Sequence, residues 1–178
     1  TGALLVGSTI GLMTVAVSAP SAEPALVADL VADRVASRVA AGDSTLWGPG
    51  AAEEAAVRLG WVHLHETSRP LLAEIDALAA DLRGAGLDRI VLCGMGGSSL
   101  APEVITRTAG VELTVLDTTD PGAVRRALAD RLERTVVVVS SKSGSTVETD
   151  SQRRAFEAAF RDADIEPGER IIVVTDNG

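Results

Sequence analysis

The sequence predicts an α/β fold, a three-layer α/β/α sandwich built around a parallel sheet and preceded by an α-helical N-terminal segment. Two observations carry this prediction. From residue 87 onward, short apolar runs alternate with helix-like segments through short links, which is typical of right-handed βαβ units. One of these runs, TVVVVSS at 135–141, contains four consecutive valines, a pattern that favours a strand covered on both faces.

Three consecutive segments are predicted: an apolar extension at 1–20, a helical segment at 21–86, and an α/β domain at 87–178. The extension is uncharged, yet it is too short and too often interrupted by glycine for a membrane-spanning helix. No basic residues precede its apolar run, as a secretory signal requires. We therefore interpret it as an extension of the folded body.

Three helices are expected in the helical segment. Residues 22–41 place Leu and Val at helical spacing, with Asp and Arg on the other side, and Gly42 ends the pattern. A shorter helix is expected at 51–60, and a third at 70–86, where a proline begins the helix and glycines close it.

The α/β domain is predicted to contain strands alternating with helices. The predicted strands are 89–94, 112–117, 134–141 and 170–176, and the predicted helices are 96–110, 120–132 and 145–160. Parallel strands end at the same edge of a sheet, so the turns that follow them are expected to gather around one ligand.

Composition excludes several classes of function. The net charge is −9, from 25 acidic and 16 basic residues, so nucleic acid and anionic membranes are not expected partners. The single cysteine, Cys93, cannot form an internal disulfide, which fits a reducing, cytoplasmic location. His63 and His65 supply at most two of the three or four ligands that zinc needs, so structural or surface histidines are predicted, and no metal site.

The turn after the valine-rich strand has the chemistry of an anion site. It packs five polar side chains and one glycine into residues 141–146, just before a predicted helix. Free N–H groups and the positive end of the helix dipole would meet there, which suits a phosphate. Helix capping alone needs only one such residue. The motif GxxxxGK[ST] is absent, so this is not a nucleotide P-loop. The candidate ligands are Ser141, Lys142, Ser143, Gly144, Ser145 and Thr146.

The turn after the first strand, GMGGSS at 94–99, admits two interpretations. Gly94, Gly96 and the later Asp117 resemble part of a dinucleotide fingerprint, although Ser99 replaces its third glycine. Alternatively, this turn shares a phosphorylated ligand with residues 141–146, with its glycines allowing close approach to a polyol.

Together these motifs resemble glucose-6-phosphate isomerase, a member of the sugar-isomerase (SIS) fold group. The residues that carry the resemblance are Gly94-Met95-Gly96-Gly97-Ser98 followed by Leu100-Ala101-Pro102, then 141–146, and Glu148-Thr149. The similarity runs from about residue 87 to residue 178. Residues 45–66 also look like the actinobacterial-type enzymes, some of which are fused to transaldolase.

The resemblance implies interconversion of glucose 6-phosphate and fructose 6-phosphate, by ring opening and proton transfer through a cis-enediol, without a cofactor. Gly97 and Ser98 would line the sugar side, residues 141–146 would hold the phosphate, and Glu148 would orient the ring-opening histidine. A helix also favours an acid in its first turn for purely structural reasons, so Glu148 has two explanations. The resemblance further implies a homodimer in the full-length enzyme.

Three departures from the family pattern limit the expected activity. The family often has an acid at the position of Ser99, and a Pro-Gly-Ser turn where this chain has Asp176-Asn177-Gly178. Its arginine, catalytic glutamate, histidine and lysine lie beyond residue 178. We therefore expect this chain to be a truncated, N-terminal portion that binds phosphate and is inactive alone. The alternatives are a non-catalytic SIS-type phosphosugar regulator, against which the lack of a basic recognition helix counts, and a nucleotide-dependent dehydrogenase fragment.

Overall fold

The computed structural model describes residues 23–175, so the predicted extension at 1–20 lies outside the described residues. The chain divides into two compact units, Thr1–Leu72 and Ala73–Gly178. None of the helices within 23–175 is long and apolar enough to cross a membrane.

The first unit consists of short helices. Its α-helices are α1 (Pro24–Ala32), α2 (Val35–Ala40), α3 (Ala52–Arg58) and α4 (Leu64–Thr67), and its 3₁₀ helices are Ser44–Trp47, Pro49–Ala51 and Leu59–His63. The single helix predicted over 22–41 is wrong, because Arg34 adopts a left-handed conformation (φ 52°, ψ 36°) that separates α1 from α2. No residue of α1 or α2 is buried, so packing does not enforce the longer helix there. The α-helix predicted over 51–60 gives way to 3₁₀ geometry at Leu59.

The second unit is an α/β sandwich. After α5 (Leu71–Gly84), which begins just before the unit boundary, come β1 (Arg89–Cys93), α6 (Gly97–Ala109), β2 (Thr114–Leu116), α7 (Pro121–Ala129), β3 (Thr135–Ser140), α8 (Val147–Asp162) and β4 (Ile171–Val174). The strands form one parallel sheet in the order β2-β1-β3-β4. Right-handed crossovers in this order place α6 on one face and α7 with α8 on the other. The predicted fold class is confirmed.

The core lies between the sheet and the α7–α8 layer. Phe156 and Phe160 of α8 are fully buried, with ring centroids 6.1 Å apart, and belong to one cluster with inward-facing valines of the central strands. Those valines are Val91, Val137 and Val139. Both faces of β3 are largely covered, as the run of valines predicts. This packing fixes the carboxyl edge of the sheet, from which the turns after β1, β2 and β3 emerge.

Candidate functional site

The loop at 141–146 leaves the sheet directly from β3. The Ser141 amide donates to the Val174 carbonyl oxygen at 3.0 Å, which extends the pairing with β4 by one residue. Ser141 is buried, whereas the next four residues are exposed. Gly144 has φ +67°, a left-handed conformation that glycine adopts without strain, and its amide donates to the Ser141 carbonyl oxygen at 3.2 Å. The loop therefore turns tightly and faces solvent.

Two pairs of hydroxyl groups line this loop. Ser141 Oγ and Thr146 Oγ1 are 3.0 Å apart and join its two ends. Ser143 Oγ accepts a hydrogen bond from the Ser145 amide at 3.2 Å and lies 3.1 Å from Ser145 Oγ. Each hydroxyl can both donate and accept, so the same groups can reorient toward an anion's oxygen atoms.

The loop ends at the N-terminus of α8, a helix of 16 residues. Thr146 occupies the N-cap position in an extended conformation, but its side chain accepts no hydrogen bond from the helix amides. The first turn therefore has no capping oxygen from its own N-cap residue, which leaves its N–H groups and the positive end of the helix dipole for an external anion.

The loop and the first turn of α8 contain one cation, Lys142, and two carboxylates, Glu148 and Asp150. Lys142, the only lysine of the chain, is exposed and makes no ion pair within residues 23–175. Asp150 in the first turn of α8 would repel an anion, but hydrogen bonds from Arg153 and Arg154, each 2.7 Å long, hold its pKa below the usual value. The positive charges of these two arginines thus offset the negative charge of the ionised Asp150 carboxylate.

A cleft of about 510 Å³ opens beside the loop, between the first turns of α8 and the end of β4. Its lining contains much of the predicted turn together with residues that sequence analysis missed. The predicted ligands are Ser141, Ser143, Gly144, Ser145 and Thr146. Sequence analysis assigned no binding role to Arg153, Val173 and Thr175, or to Thr149, which it named only as part of the family motif. Helical spacing of three from Thr146 could have indicated Thr149. The β4 residues come from a remote part of the chain, and no local pattern indicates them.

Lys142 is not among the residues that line this cleft, and neither are Gly97 and Ser98. The turn that contains Gly97 and Ser98 nevertheless starts beside β3, because a Cβ atom on Gly94 would lie 3.2 Å from the Ser140 carbonyl oxygen. Gly96 is the N-cap of α6 with φ 57° and ψ −120°, a conformation that favours glycine. The turns after β1 and β3 therefore start next to each other. That they share one ligand stays a prediction.

The remaining candidate residues do not line this cleft. Glu148 is half-buried and makes no ion pair or hydrogen bond within 23–175. His65 lies 3.5 Å from Glu66, and no group of three metal-binding side chains occurs among the described residues. Burial raises the pKa of the Cys93 thiol to about 12, so it is no nucleophile. Asp117 is exposed at the end of β2.

Comparison with known sequences finds glucose-6-phosphate isomerases. The enzyme of a Cyanothece species is 34% identical over 104 residues, which cover 54% of this chain and 20% of the relative. A probable glucose-6-phosphate isomerase of Natronomonas pharaonis is 33% identical over 122 residues, covering 67% of this chain and 28% of the relative. The chain matches no protein-family model.

Comparison with solved structures finds a glucose-6-phosphate isomerase and a hypothetical protein. A glucose-6-phosphate isomerase of Chlamydia trachomatis superposes with a TM-score of 0.51 at 30% identity, over 57% of this chain and 22% of that one. A hypothetical protein of Thermus thermophilus superposes with a TM-score of 0.63 at 25% identity, over 87% of this chain and 36% of that one. This chain spans between 20% and 28% of the length of these two curated relatives. Over that part, it is homologous to glucose-6-phosphate isomerases and shares their SIS-like α/β fold.

Proposed function

We propose that this chain supplies the phosphate-binding part of a glucose-6-phosphate isomerase that interconverts glucose 6-phosphate and fructose 6-phosphate. The observation that carries the proposal is the hydroxyl-lined loop at 141–146, which ends at a helix N-terminus without a side-chain cap. Partial homology to enzymes of that name supports the choice of a hexose 6-phosphate as ligand.

In this proposal, residues 141–146 hold the phosphate and Lys142 contributes a positive charge from the rim. Gly97 and Ser98 face the sugar, which the common origin of the two turns at the carboxyl edge supports. Glu148 orients a histidine from a part of the enzyme beyond residue 178. Its half-buried carboxyl group has no partner within 23–175 that would prevent this role.

The chain alone is proposed to bind without turnover, as the N-terminal portion of a longer, actinobacterial-type enzyme. Isomerisation requires a proton acceptor within hydrogen-bond reach of the substrate. The described cleft contains one carboxyl group, Asp150, and its lowered pKa and two arginine partners make it a poor base. We further infer that the complete enzyme is a cytoplasmic homodimer of glycolysis and gluconeogenesis that needs no cofactor.

Calorimetry on the full 178-residue chain tests the site. Fructose 6-phosphate and 6-phosphogluconate are expected to bind, and Lys142→Ala and Ser143→Ala are each expected to weaken binding about tenfold, the size of one charge-assisted hydrogen bond. Arg107→Ala is the matched control, because Arg107 is an exposed cation on α6 that pairs with Glu103. Binding that survives both loop variants would refute the assignment.

The single lysine allows a second, direct test. Reductive ¹³C-methylation gives one lysine signal, at Lys142, besides that of the terminal amine. Titration with fructose 6-phosphate should shift the lysine signal, and titration with NAD should leave it unchanged. Thermal stabilisation by NAD and not by sugar phosphates would instead favour the dehydrogenase interpretation built on Gly94, Gly96 and Asp117.

A further inference from the structure

Two polar side-chain atoms on the inner face of α8 are sealed from solvent and have no hydrogen-bond partner within residues 23–175. They are Thr149 Oγ1 and Gln152 Oε1. Thr149 is 1% exposed and Gln152 is 3% exposed. Residues three apart on a helix are neighbours on its surface, so the two side chains leave the helix next to each other.

The orientation of Gln152 is fixed by its other end. Its Nε2 donates to the Thr118 carbonyl oxygen at 2.8 Å, in the turn after β2. Exchanging the amide nitrogen and oxygen would place two acceptors against each other, so Oε1 is the atom left without a donor. This hydrogen bond ties α8 to the turn between β2 and α7.

The two atoms have complementary needs. The Thr149 hydroxyl can donate a proton, whereas Gln152 Oε1 can only accept one. A buried polar group without a partner is costly, and native proteins fill such places with ordered water that makes two to four hydrogen bonds. One hydroxyl-bearing molecule can accept from Thr149 and donate to Gln152 at the same time.

We propose that Thr149 and Gln152 form an internal site that binds one water molecule. Thr149 lines the cleft beside the loop at 141–146, but its hydroxyl oxygen and Gln152 Oε1 are both closed to solvent. A water molecule therefore fits the site better than a hydroxyl group of a bound sugar. The water completes a hydrogen-bonded path from the first turn of α8, through Gln152, to the Thr118 carbonyl oxygen. The water thereby helps to fix the N-terminus of α8, which follows the loop at 141–146, relative to the turn between β2 and α7.

A crystal structure of the full chain at high resolution is the direct test. A water oxygen within about 3.2 Å of both Thr149 Oγ1 and Gln152 Oε1 supports the proposal. An empty site, or two side chains that find protein partners instead, overturns it. A second crystal with fructose 6-phosphate distinguishes the sources of the hydroxyl: the water stays if the proposal holds, whereas replacement by a sugar hydroxyl contradicts it.

Thermal unfolding gives an independent test whose sign is diagnostic. Thr149→Val keeps the side-chain shape but removes the hydroxyl. If water is bound there, the melting temperature falls by about 2–4 °C, because the water loses a partner. If the hydroxyl is unpaired, its removal relieves a penalty and the melting temperature rises, which overturns the proposal. Thr149→Ser keeps the hydroxyl and should retain the water in a crystal structure.

Discussion

Helices α7 and α8 both follow turns at the carboxyl edge of the sheet and lie in the same layer, yet their N-termini are capped differently. Asp120 caps α7 with its own carboxylate, which accepts from the Gly122 amide at 3.2 Å and the Ala123 amide at 2.8 Å. Thr146 stands at the equivalent position of α8, but its hydroxyl lies 3.0 Å from Ser141 Oγ and leaves the helix uncapped.

We propose that this difference separates a structural helix end from one that binds an anion. At α7 the chain supplies its own anion, so nothing further can bind to those amides. At α8 the N-cap side chain provides no such acceptor, because the Thr146 hydroxyl lies against Ser141 in the loop, and in the proposed function the helix amides donate to an outside anion. The comparison explains why only one of the two turns is proposed to bind phosphate.

The largest effect is expected from making α8 resemble α7. Thr146→Asp places a carboxylate where the phosphate is proposed to bind, and the extended N-cap conformation suits aspartate. We expect the free energy of unfolding to rise by about 1 kcal/mol, as for a good N-cap. Binding of fructose 6-phosphate should fall by roughly tenfold or more, from competition and charge repulsion. Calorimetry and urea unfolding measure the two changes, and unchanged affinity would contradict the comparison. Thr146→Ser is the control, since it keeps the hydroxyl.

The reverse change removes the cap from α7. Asp120→Ala leaves the Gly122 and Ala123 amides without their acceptor, so the melting temperature should drop while sugar-phosphate affinity stays at its original value. Differential scanning calorimetry and a binding titration of the same sample provide the measurements. A loss of affinity equal to that of the Lys142→Ala variant would show that the two helix ends are not independent.

A smaller effect is expected from the hydroxyl pair that closes the loop. Ser141→Ala removes the partially buried contact with Thr146 and should lower the free energy of unfolding by about 0.5–1.5 kcal/mol. Ser145→Ala is the matched control, because Ser145 is exposed in the same loop and should change stability by less than about 0.5 kcal/mol. Equal losses in urea unfolding would remove the structural distinction between the two hydroxyl pairs.

The smallest effect concerns pH. Hydrogen bonds from the Ala123 and Gly122 amides hold the pKa of Asp120 below its ordinary value of 3.8. A carboxyl group with a lowered pKa contributes stability above pH 3.8 and loses it as the pH falls through the folded-state pKa. The difference in melting temperature between the native chain and Asp120→Asn should therefore shrink below that pH. If the difference in melting temperature stayed constant down to about pH 2.5, roughly one unit below the ordinary pKa of aspartate, the result would argue against an ionised Asp120 cap.

Local sequence patterns were sufficient to predict the α/β unit, because apolar residues recur there with the spacing that buried strands and helices require. Consecutive valines mark β3, and the polar turn at 141–146 does follow it. The first unit was predicted less well. The sequence pattern of a helix continues across Arg34, but this residue adopts a left-handed conformation. No residue of α1 or α2 is buried, so packing does not enforce one continuous helix. The roles of Gly97, Ser98 and Glu148 stay predictions, because they depend on groups that the described cleft does not contain.

By itself, the sequence determined the alternation of strands and helices, the position of the polar turn and the single lysine beside it, since all of these are local properties of the chain. Only the tertiary structure decided how two good capping residues are used. Asp120 turns back onto its helix, whereas Thr146 meets Ser141, because the preceding strand brings that serine within hydrogen-bond distance. The same packing brings Val173 and Thr175 from β4 to the cleft, through contacts between residues that are far apart in sequence.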